Sequence, residues 1–177
     1  MLNNCTYKKI SSTIIKGIFL VGVLLIPNLL LAQESPPTPV NVTVDAVKFL
    51  NFGSFTFTNA GTGGTVSVDS NGSRTSSGDI ILLNFGATSS SASFDVTANP
   101  GTILNITHPN NIPLTESSGG TIYLNIDSYY PGKTFLATAA PPMTTPISIG
   151  GTLSIGDISQ NPAGNYTGSV NITLIQQ

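Results

Sequence analysis

From Val40 onward the chain repeats one pattern in short runs: apolar and polar residues exchange at every second position. Val40, Val42, Val44 and Ala46 alternate with Asn41, Thr43 and Asp45. Successive side chains of an extended strand point to opposite faces, so this period predicts a strand with one wet face and one face against a core. The same reading applies to Phe55 and Phe57, to Thr65–Asp69 through Val66 and Val68, and to Ser93–Ala98 through Phe94 and Val96. It applies again to Ile103–Ile106, to Thr121–Ile126, and to Phe135–Ala137 as a short edge strand. The run Asp79–Phe85 is continuously apolar and predicts a central strand. Ile147, Ile149, Leu153 and Ile155 flank Gly150-Gly151, which predicts a strand bent or bulged at the glycines. Tyr166, Gly168, Val170, Ile172 and Leu174 alternate most regularly of all and predict the terminal strand, with Gly164 just before it.

The separators agree with this pattern. Gly61–Gly64 permits a tight reversal, Asn71-Gly72 accepts the positive φ of a hairpin turn, and His108-Pro109-Asn110 forms a further turn. Ala139–Pro146 holds Pro141, Pro142 and Pro146 and predicts a loop outside any sheet. No stretch has the 3.6-residue period and caps of an amphipathic helix. About nine short strands between Gly, Pro and Asn turns predict an all-β chain, an immunoglobulin-like two-sheet β-sandwich. A closed barrel satisfies the same strand count.

Residues 1–32 read as a secretory signal peptide: Lys8, Lys9 and Lys16 precede the apolar stretch Gly17–Leu31, and Ala32 offers a cleavage point. The stretch is shorter than the ~20 apolar residues of a spanning helix and is broken at Pro27. The expected product is exported to the periplasm, the outer surface or the medium, with no membrane contact after cleavage. Residues 33–39, with Pro36, Pro37 and Pro39, read as a stiff leader, and residues 40–177 as one domain with a single core. Cys5 leaves with the signal, so no disulfide supports the fold. The basic residues that remain are Lys48, Arg74 and Lys133, against eight carboxylates. That balance excludes nucleic acid, whose backbone needs clustered cations.

Few groups could carry catalysis. His108 is the only histidine, and neither a cysteine nor a Gly-x-Ser-x-Gly elbow accompanies it, so it reads as a turn residue. Asp45, Asp69, Asp79, Asp95, Asp127 and Asp157 fall at strand ends or outward positions. Two of them meeting in space could form a glycosidase pair, but solvated acids are the commoner outcome. Asp69-Ser70-Asn71-Gly72 begins like a calcium loop without the later ligands, and the glycines at 61, 63 and 64 lack the Gly-Lys ending of a phosphate loop. The expectation is a non-enzyme with no metal and no cofactor. The sequons at Asn41, Asn71, Asn105, Asn165 and Asn171 matter only in a eukaryotic secretory host. Tyr129-Tyr130, in a turn over 128–132, is the candidate recognition element for a glycan or a protein partner.

Several motifs together resemble the bacterial family called domain of unknown function 4402, itself similar to pilin-like surface proteins. They are Asn51-Phe52-Gly53, Gly64-Thr65-Val66-Ser67-Val68, Gly72-Ser73-Arg74-Thr75 with Gly78, Phe94-Asp95-Val96, Gly150-Gly151-Thr152-Leu153 and Gly164-Asn165-Tyr166-Thr167-Gly168. The resemblance implies an exported sandwich serving as a surface-assembly or adhesion module. It also implies one mechanism, in which an extended N-terminal strand of one subunit completes a neighbour. Val40, Val42, Val44 and Ala46 are the candidate strand-addition segment; the simpler reading is that they form the first strand of their own sandwich. Gly164, Tyr166, Val170, Ile172 and Leu174 are the candidate C-terminal assembly strand. Gly164 matches the glycine of the pilin terminal strand, whereas Gln176 stands where those subunits carry an aromatic residue.

Overall fold

The computed structural model describes residues 41–44, 48–58 and 61–177, the first group by its backbone alone. These residues all belong to one compact unit, Thr38–Gln177; the expected signal peptide and proline-rich leader lie outside the described residues. Twelve strands follow in order: β1 Asn41–Val44, β2 Ser54–Phe57, β3 Gly64–Val68, β4 Arg74–Gly78, β5 Ile80–Leu83 and β6 Ala92–Thr97, then β7 Ile103–Thr107, β8 Ile112–Thr115, β9 Thr121–Tyr130, β10 Thr134–Leu136, β11 Thr145–Ile155 and β12 Thr173–Gln176. Every pairing is antiparallel. The chain is an all-β sandwich. No helix of the described residues is long and apolar enough to cross a membrane.

β11 organises the larger layer. Its residues Ser148 and Ile149 pair with both β6 and β9, and Gly151–Ser154 pair with both β3 and β9. A strand has two edges, so β9 holds one of them and β6 followed by β3 shares the other. β1 extends this layer beyond β6, β4 extends it beyond β3, and β8 extends it beyond β9. Burial alternates along β11 as the sequence pattern requires: Ile147, Ile149, Leu153 and Ile155 face inward, and Ser148, Thr152 and Ser154 face out. The register with β9 slips between Gly150 and Gly151, but the extra residue is Asp127 of β9, which has no partner on β11; the bulge expected at these glycines lies on the strand opposite them. Gly150 lies where the chain leaving β3 crosses to β9, with the amide of Ser70 donating to Ser128 Oγ at 2.8 Å. A methyl group at Gly150 would run into the Val68 and Asp69 backbone.

Facing this layer are two separate fragments, the three-stranded sheet β10-β7-β12 and the two-stranded ribbon β2-β5. One core joins them all. Val66, Val96, Ile126 and Ile149 from the large layer meet Leu104, Ile106 and Phe135 from the first fragment and Ile80 from the second. Burying such side chains contributes roughly 1.5–3 kcal/mol each, which a chain without cross-links depends upon.

Several expectations are corrected. Asp79–Phe85 is not a central strand: β5 pairs only with β2, and Ile81 is 49% exposed. Pro146 is not in a loop but lies within β11 opposite Asp95. It is tolerated because β9 pairing begins only at Ser148, so the missing N–H falls on an open edge. Tyr129 and Tyr130 close β9 instead of sitting in a turn. The alternating stretch from Gly164 to Leu174 is strand only from Thr173 on. The hairpin at Asn71-Gly72 is as expected, with Gly72 at φ 85°, and β10 is an edge strand.

Candidate functional site

The split second layer leaves an apolar cleft of about 1240 Å³ over the inner face of the large sheet. Phe94, Ile112, Leu114, Ile126, Ile149 and Leu153 form part of its floor, and its walls come from Lys48–Phe57 and from the stretch 161–170 with Ile172. Lys48 is the one charged residue among those that line it. Phe49, Phe85 and Ile158, at 64%, 68% and 60% exposure, stand at its opening to solvent. Leu50, Phe55, Phe57, Val170 and Ile172 are half-buried, packed on the core on one side only.

Both walls end in open backbone. β2 gives one edge to β5, and its other edge has no partner strand among the described residues. After the bridge between Thr167 and Thr115, residues Gly168–Ile172 make no backbone–backbone hydrogen bond among the described residues. The ladder resumes at Thr173, where β12 joins β7. The alternation of Val170 and Ile172 therefore reflects burial of one face against the cleft without a neighbour in the sheet.

The motifs singled out in the sequence prove to be the frame of this cleft. Arg74 reaches from β4 to the opposite layer, where Nη1 donates to the carbonyls of Phe52 at 3.0 Å and Ser54 at 3.1 Å. Its Nη2 donates to the Leu83 carbonyl at 2.8 Å. One guanidinium thus ties β4 to both strands of the β2-β5 ribbon. Gly53, at φ 66°, lets the backbone pass against that guanidinium, and the Asn51 side chain accepts the Gly53 amide at 2.8 Å. On the other wall the buried Asn161 accepts the Gly156 amide at 2.6 Å and donates to the Thr121 carbonyl at 2.8 Å. Tyr166 donates to the Pro162 carbonyl at 2.7 Å and packs where Gly120 has no side chain. Burial, followed by the nearby Glu116 charge, pushes the Tyr166 hydroxyl above its usual value, partly offset by Asn161.

The tyrosine pair is divided between two roles. Tyr129 lies opposite the inward Ile149, and its hydroxyl donates to the Ile126 carbonyl at 3.0 Å. His108 Nε2 sits 2.5 Å from the same hydroxyl, and Lys133 Nζ lies 5.9 Å from the ring centroid. The Pro109 carbonyl lies 2.9 Å from His108 Nδ1. His108 thus holds a turn, and burial, with Asp127 second, raises the Tyr129 hydroxyl above its usual range. Tyr130 is 57% exposed.

Four of the acids, Asp69, Asp79, Glu116 and Asp157, serve turns and connections, whereas Asp95 and Asp127 lie in β6 and β9. Asp69 Oδ1 accepts the amides of Asn71 and Ser73 at 2.9 and 2.8 Å. Asp157 accepts those of Ser159 and Gln160, and Thr62 donates to Asp79. Hydrogen bonds from Ser118 and Ser117 hold the Glu116 carboxyl down at about 2, and similar bonds lower Asp79 and Asp157. Among the described residues no three His, Cys, Asp or Glu side chains gather as a metal site would require.

Of the proposed assembly strands, Asn41–Val44 pairs through its backbone with β6, Val42 opposite Val96 and Val44 opposite Phe94. Val40 and Ala46 lie outside the described residues. Of the C-terminal set, Gly164 and Tyr166 build the anchored wall, Val170 and Ile172 line the cleft, and Leu174 pairs with Ile106 in β12. The cleft itself was not foreseen. The signal that pointed to it was the half-buried alternation read as a strand. No curated protein and no solved structure matches the chain. A family model matches residues 42–175, from β1 to within β12. The chain belongs to the family described as Domain of unknown function (DUF4402).

Proposed function

We propose that the chain is a non-catalytic, exported surface module, pilin-like in its use, which associates with copies of itself or another surface protein by strand addition. The segment it lends is Val40–Val47. The observation that carries this reading is the position of β1: it is the outermost strand of its layer, joined to β6 alone over four residues. Such a strand detaches at little cost to the core. Its alternation of small aliphatic and polar residues suits the edge of any sheet with an apolar inner face. The leader that reads as a signal peptide and the lack of charge clusters fit an extracellular scaffold. The expected outcome is a concentration-dependent series of species in sedimentation velocity, reduced to monomer by Val42→Lys with Val44→Lys. A wild-type protein that stays monomeric at millimolar concentration would remove this function.

A self-contained binding module is the second reading, favoured by the exposure of Tyr130 beside Pro131 at the end of β9. Here the ligand would be a glycan or a protein loop stacked on that ring. Tyr130→Ala should then abolish the signal on a glycan array, and Tyr129→Phe should leave it intact. Retention of binding by Tyr130→Ala clears that residue of any part.

A further inference from the structure

We propose that the cleft between β2 and Gly168–Ile172 receives the Val40–Val47 segment of a second copy as an added strand of the split layer. This inference rests on the strand-addition reading above and names its receiving site. Two features of the cleft specify an extended chain over a compact ligand. Open backbone lies along both walls, so donors and acceptors there await a ladder partner. The floor is apolar while the opening faces solvent, which an incoming strand matches by placing every second side chain on each.

The segment Val40–Val47 has that character. Val40, Val42, Val44 and Ala46 would seat against Phe94, Leu114 and Leu153, leaving Asn41, Thr43 and Asp45 toward water. The charges also match, since Asp45 is the one acid of the segment and Lys48 the one charged residue lining the cleft. Within its own chain Asn41–Val44 of the segment pair along β6. Each copy can therefore give its segment to one neighbour and accept from another, a head-to-tail contact that grows into rows unless it closes on itself.

Mixed cross-linking tests the assignment in the full-length chain carrying Cys5→Ser, so that introduced cysteines are the only thiols. Copies with Thr43→Cys are mixed with copies bearing Ser169→Cys or Asn171→Cys, two positions that cover either register. Oxidation should give a disulfide-linked heterodimer, because adjacent strands bring Cα atoms to about 4.5–5.5 Å, within disulfide reach. Adding Val170→Lys to the accepting copy should lower the yield at least tenfold while its circular dichroism stays unchanged. A parallel mixture of Asn41→Cys with Thr97→Cys copies reports exchange at β6, where these two positions are registered. Heterodimer from that mixture alone overturns the cleft assignment and leaves strand addition standing. No heterodimer from either mixture overturns both.

Discussion

Arg74 is one of three cations beyond the leader, and it is spent on carbonyl oxygens. A guanidinium presents several donors in a fixed plane, so one side chain can hold Phe52, Ser54 and Leu83 together where an ammonium could not reach all three. Arg74→Ala should lower unfolding stability by about 3 kcal/mol, since hydrogen bonds from a charged donor are worth more than neutral ones and the carbonyls lose their partner. Arg74→Lys should recover less than half of that in urea titrations. An unchanged urea midpoint for the alanine variant would mean that the clamp is not holding the ribbon. At this scale the right residues were legible without their geometry. The Asn51-Phe52-Gly53 and Gly72-Ser73-Arg74-Thr75 motifs were visible, but their meeting across 22 positions depends on the fold. Tyr129 and Tyr130 looked equivalent as neighbours, and strand alternation sent one ring inward and the other out.

The strands were legible wherever one face is apolar, as in β3, β6, β7 and β9. Alternation reports one-sided burial, and burial need not come with a hydrogen-bonded neighbour. Gly168–Ile172 shows the difference: it alternates because Val170 and Ile172 line the cleft, yet it carries no ladder. The converse failure is β4, Arg-Thr-Ser-Ser-Gly, whose pairing with β3 leaves no apolar trace because its residues after Arg74 are exposed. β8 was hidden by Pro113, which sits on a strand paired with β9 and held on its other edge only by the Thr115–Thr167 bridge. Gly150-Gly151 marks the place of the register slip but not its strand, because the extra residue is Asp127 of β9, and the reason for Gly150 lies in the crossing chain at Asp69 and Ser70. Gly150→Ala should cost about 1–3 kcal/mol, the range for forcing extra volume into a packed site. Thermal unfolding measures it; an unshifted midpoint would show that the crossing has room to spare.

At the scale of the whole molecule, an all-β sandwich followed from strand count and turn spacing, whereas the division of its second layer did not. Periodicity counts strands without saying which edges meet. β11 decides those meetings, and it comes late: Thr145–Ile155 must be in place before β3, β6 and β9 share a partner. Sheets closed by distant segments form slowly, because a long loop has to be ordered before any contact rewards it. During synthesis, then, the first 144 residues hold only separate pairs, β1-β6, β2-β5, β3-β4, β7-β10 and β8-β9, and the strand that joins three of them emerges within the last fifth of the polypeptide.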